Sequence, residues 1–329
     1  MRWPTILARY RRQVTVGLAD VLHSEGFLYS ILRYHVGLED GQDPVNNHMG
    51  KLLRPTLVLF TAEQLGGEVG QALPAALGLE LIHNFSLIHD DVQDGDKTRR
   101  GRPTVWNRYG VAQAINAGDL MQSLAVAQAL RVGQDAAKTL LAATIEMIEG
   151  QGLDLDAAGQ AVGVEPYLEM IDKKTGALIR CAFQLGSIVA AAPAGVEETL
   201  AKVGQELGRA FQIRDDLLGV WGDGALTGKP QGSDIRRRKK TLPVAIALSS
   251  ARAADRADLE RLYDKKTLTD KEIDRVIEIM NKSGARQAGE QMVIEHLKRA
   301  REYLVQVPFS TTGRQEMGEL MQYLAERDQ

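Results

Sequence analysis

Apolar positions along the chain recur at helical spacing, and strand-like alternation is scarce. Residues 5–38 are expected to form two helices with a break near Gly26. Residues 41–47, with Pro44, form a loop. A helix then runs from about Gly50-Lys51-Leu52-Leu53-Arg54-Pro55 to Leu65, where Gly66-Gly67 stops it. The next begins near Gln71 and ends in a cluster of aspartates. Helical patterns resume over residues 107–131, 135–152 and 164–192. Pro193-Ala-Gly195 marks a turn, and a helix from Val196 carries a second aspartate cluster. Gly222, Gly224, Gly228, Pro230 and Gly232 mark a loop. Thr241-Leu-Pro243 restarts the pattern, and three or four further helices finish the chain. No repeat, low-complexity segment or long linker divides it. An all-α fold follows, with residues 1–329 as one domain.

Composition narrows the partners. A 44% hydrophobic content suffices for a large core. The net charge of −3 gives no overall attraction to nucleic acid or to an acidic membrane. Anion binding must come from local basic clusters. The one cysteine, Cys181, rules out an intrachain disulfide and, in an apolar segment, reads as a small core residue. Met1-Arg-Trp-Pro-Thr is not followed by a signal-peptide core, and the most apolar stretch, residues 182–192, is too short to span a bilayer. A cytoplasmic protein without a membrane span is expected.

The chemistry concentrates in Glu80-Leu-Ile-His83-Asn-Phe85-Ser86-Leu-Ile-His89-Asp90-Asp91-Val-Gln-Asp94, followed by Arg99-Arg100-Gly101. Asp90 and Asp94 stand i, i+4 and share one helix face. His83 and Ser86 fall on the same broad face. Paired carboxylates repel unless a cation lies between them. Such pairs suit Mg²⁺, which keeps several waters and takes substrate phosphates into its shell. Arg99 and Arg100 supply forks that match phosphate oxygens. An isolated Asp-Asp-x-x-Asp is more often a solvated helix end. The arginines, and a second pair in Phe211-Gln212-Ile213-Arg214-Asp215-Asp216, favour a metal-diphosphate site. The run Arg236-Arg237-Arg238-Lys239-Lys240 reads on its own as a solvated basic loop, and a nucleic-acid surface is set aside because acidic clusters dominate.

From residue 50 to 243 these ordered motifs resemble the trans-isoprenyl diphosphate synthases, or polyprenyl synthetases. The resemblance implies one large helical bundle of the isoprenoid synthase type around a central cavity, and a homodimer. It implies Mg²⁺, with three ions when substrate is bound, held by Asp90, Asp94 and Asp215. It implies contacts of Lys51, Arg54, His83 and Arg100 with the diphosphate of isopentenyl diphosphate. Arg99, Lys174 and Lys229 match contacts to an allylic diphosphate. Lys174-Thr175 and Gln212 match further family positions, as does Lys239, with Lys240 the alternative register. Asp90, Asp94, Lys174 and Asp215 are the expected catalytic set. Phe85 and Ser86 match the wall that limits product length. The chain lacks the two-residue insertion of bacterial farnesyl synthases between Asp91 and Asp94. It therefore resembles the geranylgeranyl (C20) type, with farnesyl diphosphate the alternative.

One departure stands out. Position 219, i+4 from Asp215, is glycine where the family commonly has a third aspartate. Asp216 and Asp223 remain nearby. An aspartate at 219 is expected to be tolerated and to lower the Mg²⁺ requirement. Gly219 is also the one feature favouring a terpene cyclase or a non-catalytic subunit of a heteromeric synthase. Lys51, Arg54, His83 and Arg100 argue against the cyclase, and the intact first aspartates against the subunit.

Overall fold

A computed structural model describes residues 4–38, 49–157, 163–222 and 231–326. The loops expected at 41–47 and across 223–230, with Asp223 and Lys229, lie outside the described residues. Helices α1 (Thr5–Arg9), α2 (Arg11–Val21), α3 (Phe27–Val36), α4 (Leu53–Gln64) and α5 (Val69–Gln93) come first. A two-stranded hairpin pairs Thr98–Arg99 with Arg102–Pro103. Then come α6 (Val105–Tyr109), α7 (Val111–Leu130), α8 (Gln134–Ala157), α9 (Val164–Ile171), a π-turn (Asp172–Gly176), α10 (Ala177–Val189) and α11 (Ala194–Trp221). Helices at Ser233–Arg236, Leu242–Ser250, Ala253–Tyr263, Asp270–Lys282, Ala285–Leu304 and Thr311–Glu326 complete the chain. The all-α expectation holds, and the hairpin is the one sheet among the described residues.

Three boundaries differ from the periodicity. The stretch 5–38 breaks at Tyr10 as well as at Gly26, although Tyr10 keeps near-helical angles. The stretch 107–131 divides at Gly110, whose φ of 88° an L-residue rarely adopts. The stretch 164–192 is interrupted by the π-turn.

The spine is α5. It is apolar nearly all round, with Ala75, Ala76, Leu79, Leu81, Ile82 and Ile88 buried, as expected of a helix enclosed by others. It packs most extensively on α7, whose buried stripe is small: Ala114, Ala117, Gly118, Ala125 and Ala129. The approach is close enough that a Cβ on Gly78 would stand 2.9 Å from the Ala125 carbonyl oxygen. Helices α4 and α10 close the other side, and α11 packs on α10. Further on, Thr269 and Glu272 form a reciprocal capping box that starts Asp270–Lys282. Among the described residues no helix is long and apolar enough to cross a membrane. Cys181 is buried, and burial pushes its thiol far up, which leaves it unreactive.

Candidate active site

The first carboxylates close the C-terminal end of α5. Asp90 faces the cavity, and Asp94 caps the helix through its N–H to the Asp90 carbonyl, at 2.8 Å. Asp91, one position on, turns away and is 1% exposed. Arg99 holds it with Nε at 2.9 Å and Nη2 at 2.8 Å from Oδ1. The hairpin makes this possible: Arg100 (φ 52°) and Gly101 (φ 76°) reverse the chain in left-handed conformations, as tight hairpins favour. Burial raises the pKa of Asp90, and Asp94 raises it further; Lys174, Arg99 and Lys239 oppose both. A cation between Asp90 and Asp94 would relieve that repulsion.

The second wall is α11. Asp215 borders both a cavity of about 510 Å³ against α5 and an adjoining one of about 330 Å³ toward residues 233–241. Lys174, Thr175 and Gln212 border both as well, so the two spaces form one site. Asp216 is again the inward residue. It accepts hydrogen bonds from Tyr167 Oη at 2.5 Å, Gln212 Nε2 at 3.0 Å and the Leu242 N–H at 3.1 Å. Burial pushes its carboxyl up to about 7, against those bonds. Thr175 Oγ1 donates to Gln212 Oε1 at 2.8 Å, which extends the chain of bonds to the π-turn.

Gly219 has a physical reason. A Cβ built there would overlap the carboxylate of Asp234, with Cγ only 2.5 Å away. Asp234, on the short helix Ser233–Arg236, thus occupies the volume of the side chain that position 219 lacks, beside Asp215 and Asp216 in the cavity wall. Gly219→Asp is therefore accommodated only with the Asp234 side chain displaced, because two carboxylates would compete for one space. Asp234 was hidden in the sequence, fifteen residues downstream beside a basic run. Its only signal is the glycine itself, since a gap in a helix face asks what fills it.

Basic groups gather at one end of the larger cavity. Arg54 is buried with its Nε unpartnered. Burial lowers its pKa, while Glu80 and Asp215 support its charge. Glu80, 5% exposed, has its pKa raised by burial and opposed by Arg54, Arg100 and the Asn84 amide, which donates to Oε1 at 3.0 Å. Glu80 is thus the counter-ion that supports the charge of Arg54 and Arg100, a role sequence reasoning did not assign. Arg100 lines this end, and burial lowers its pKa. His83 is held neutral, first by burial and then by Arg54, Arg100 and Arg99. Behind them burial, with Arg100, Arg99 and Arg102, pushes His35 down to about 3.

Opposite lie Lys174 and Lys239. Lys174 Nζ meets Asp154 at 2.6 Å. Burial opposes its charge, but Asp154 and Asp90 outweigh that and raise its pKa. Lys239 Nζ stands 3.6 Å from Asp94, and Arg237 meets Asp96 at 2.8 Å, so the second-cluster segment is tied to the first cluster. The apolar part of the cavity is lined by Phe85, Leu87, Met147, Ile148, Leu178 and Phe211, with Ser86 at its edge. Phe85 meets His89 edge to face at 4.9 Å, and His89 sits where a Cβ on Gly118 would be.

Most expected site residues therefore converge: Arg54, His83, Phe85, Ser86, Asp90, Arg99, Arg100, Lys174, Thr175, Gln212 and Asp215 border the larger cavity. Lys239 and Lys240 both border the smaller one, and Lys239 is the one that pairs with Asp94. Lys51 is absent from the described lining, and its ammonium lies 5.6 Å over the Tyr323 ring. Among the described residues no three His, Cys, Asp or Glu side chains form a ready cage for a metal. Asp90 and Asp94 on one wall and Asp215 on the other still fit Mg²⁺, which needs only one or two carboxylates when phosphates complete its shell.

Residues 40–280 match the model of the polyprenyl synthetase family. A (2E,6E)-farnesyl diphosphate synthase of Mycobacterium tuberculosis is 38% identical over 307 residues, spanning 90% of this chain and 85% of its own. A geranylgeranyl diphosphate synthase of the same organism is 38% identical over 281 residues, spanning 83% and 80%. A polyprenyl synthetase structure from Streptomyces coelicolor A3(2) superposes with a TM-score of 0.89 at 35% identity, over 97% of this chain and 98% of that one. With two carboxylate walls, a basic end and an apolar channel on one cavity, and with these likenesses over most of its length, the chain belongs to the polyprenyl synthetase family.

Proposed function

We infer that the protein is a short-chain trans-prenyltransferase that condenses isopentenyl diphosphate with an allylic diphosphate. The observation that carries this is the shared cavity. Asp90 borders it with Asp215 and Lys174, Asp94 stands beside Lys239 rather than in the lining, the Arg54–His83–Arg100 group lies at one end, and apolar side chains line the rest. The allylic C1–O bond breaks with its electron pair going to the diphosphate. The double bond of isopentenyl diphosphate then attacks C1, and a proton leaves to the released diphosphate. Asp90, Asp94 and Asp215 would hold Mg²⁺, proposed as three ions in the loaded site, which would supply charge neutralisation on that leaving group.

The chain's own residues divide the rest. Arg54, His83 and Arg100, with Lys51, bind the isopentenyl diphosphate. Arg99, Lys174, Thr175, Gln212, Lys229 and Lys239 serve the allylic diphosphate. Lys51 must leave Tyr323 to take part. Arg99 does so while its guanidinium stays anchored on Asp91. The apolar lining keeps water from the cation. The basic end disfavours the cyclase reading, because ionising one diphosphate needs no second anion site.

The proposed product is geranylgeranyl diphosphate, with farnesyl diphosphate the alternative. Phe85, 5% exposed and braced by His89, is the proposed stop, with Ser86 beside it. The working unit proposed is a cytoplasmic homodimer of single-domain chains. An apolar surface with Ile115 on α7 and Leu141, Ile145 and Ile148 on α8 favours the dimer.

The test is incubation of purified protein with Mg²⁺, isopentenyl diphosphate and dimethylallyl, geranyl or farnesyl diphosphate, with chain length read by chromatography. Accumulation of C20 is expected; a stop at C15 moves the reading to the farnesyl type, and cyclic products without condensation overturn it. Phe85→Ser is expected to lengthen the product. Because the ring borders an open cavity, its loss should cost less than the roughly 3–5 kcal/mol of a fully packed Phe→Ala change. Unchanged products from a folded variant would remove Phe85 from the stop.

A further inference from the structure

Lys174 is presented by an irregularity. Residues 172–176 form a π-turn between α9 and α10, so one extra residue is accommodated within an otherwise helical run. Such turns are rare and occur mostly as single bulges inside α-helices, often at functional sites, so what fixes the position of this one matters. Moving it by one residue turns the side chain that it passes by about 100° around the axis and leaves those beyond in place. Here that matters more than usual, because Lys173 precedes Lys174. Lys174 points inward to Asp154, whereas Lys173 points outward to Glu149 at 2.8 Å.

The packing around the turn leaves this choice open. On one side the α8 backbone comes so close at Gly150 that a Cβ there would stand 2.7 Å from Lys174 Cα. On the other, a Cβ on Gly208 would lie 2.9 Å from Gly176 Cα. Two glycine contacts confine the turn sideways but give no grip along its length. The grip comes from Asp172. Its carboxylate accepts from Arg209 Nε at 2.7 Å and from Arg209 Nη2, and Gln205 Nε2 adds a third bond at 3.1 Å. Arg180 Nη1 donates to the Asp172 carbonyl at 3.3 Å. Gln205, Arg209 and Gln212 lie along one stripe of α11, the same helix that carries Asp215. α11 therefore holds the turn at Asp172 on its outer face and at Thr175 on its inner face.

We propose that the Asp172–Arg209 pair is a positioning device for the reaction, which fixes the register of the π-turn so that Lys174, and not Lys173, faces the carboxylates. The pair borders neither of the two site cavities, with the Asp172 and Arg209 side chains 16% and 21% exposed. It acts through Lys174, and so this rests on the reading that Lys174 serves the allylic diphosphate. A bidentate guanidinium–carboxylate contact suits the task, because it fixes angle as well as distance.

The experiment is a kinetic cycle with Arg209→Gln, Lys174→Ala and the double variant, measuring kcat/KM and KM for both diphosphates. Arg209→Gln is expected to lower kcat/KM for the allylic substrate by roughly tenfold or more, in line with the cost of misplacing a catalytic group, and to leave KM for isopentenyl diphosphate within about twofold. The double variant should match Lys174→Ala alone, since a positioning residue has nothing left to position. Additive losses, or equal losses for both substrates, overturn the proposal. An unchanged allylic kcat/KM in Lys174→Ala overturns the assignment of Lys174 instead, so the two failures are distinct. Should Arg209→Gln fail to fold, Asp172→Asn, which keeps the shape and weakens the pair, runs the same cycle.

Discussion

The two carboxylate clusters solve one problem in different ways. In each, adjacent aspartates divide the work. Asp90 and Asp215 face the larger cavity, while Asp91 and Asp216 are absent from its lining and are consumed by protein partners, Arg99 in one case and Tyr167, Gln212 and the Leu242 N–H in the other. The third carboxylate is where they part. In the first cluster it is Asp94, on the same helix and one turn on. In the second, Gly219 leaves that place vacant and Asp234 enters it from another element. A motif read along one helix is thus a statement about a volume, and a different segment is able to fill that volume.

The largest expected effect tests the division of labour. Asp90→Ala or Asp94→Ala should abolish turnover while circular dichroism and melting stay near those of the parent. Asp91→Ala should lower stability, because it strands Arg99; that side chain is 30% exposed, so the cost should fall below the roughly 3–5 kcal/mol of breaking a fully buried ion pair. Near-normal turnover in Asp90→Ala at ordinary Mg²⁺ would end the comparison.

An intermediate effect tests the shared volume. Gly219→Asp should destabilise the protein and reduce activity, since overpacking alone costs about 1–3 kcal/mol and the new charge faces Asp234. Combined with Asp234→Gly, it should regain much of the loss, with the third carboxylate restored to α11. A fully active, stable Gly219→Asp single variant would show that Asp234 moves aside freely.

The smallest effect concerns acid. Burial, with Arg100, Arg99 and Arg102 beside it, keeps His35 neutral, with its pKa near 3 against 6.5 in the unfolded chain. The unfolded state then binds more protons between those values. The contribution of His35 is complete above pH 6.5 and declines as pH falls, by at most about 1.4 kcal/mol per pH unit. Melting temperature measured from pH 7 to 4 should fall less steeply in His35→Gln than in the parent. Parallel curves would place the acid sensitivity elsewhere.

Much of this was legible from patterning, for physical reasons. Long helices with aspartates at i, i+4, and the arginine-bearing turn after them, are local features, and Asp90, Asp94, Arg99 and Arg100 lie where spacing put them. What escaped depends on contacts between distant segments. The π-turn has no compositional mark, so 164–192 read as one helix. Asp234 meets Gly219 only through the tertiary fold. Glu80 and His35 owe their importance to arginines from other elements. The basic run read as a solvated loop is instead partly engaged, with Lys239 on Asp94 and Arg237 on Asp96.

The close crossing of α5 and α7 at Gly78 and Ala125 has an evolutionary consequence. It fixes the spine against its neighbour by backbone contact, so the end that carries Asp90 keeps its place whatever side chains line the channel further down. Product length then becomes a trait that single substitutions are free to alter without disturbing the chemistry. Two relatives from one bacterium, each 38% identical to this chain, bear the names of enzymes with different products, as such a separable trait allows.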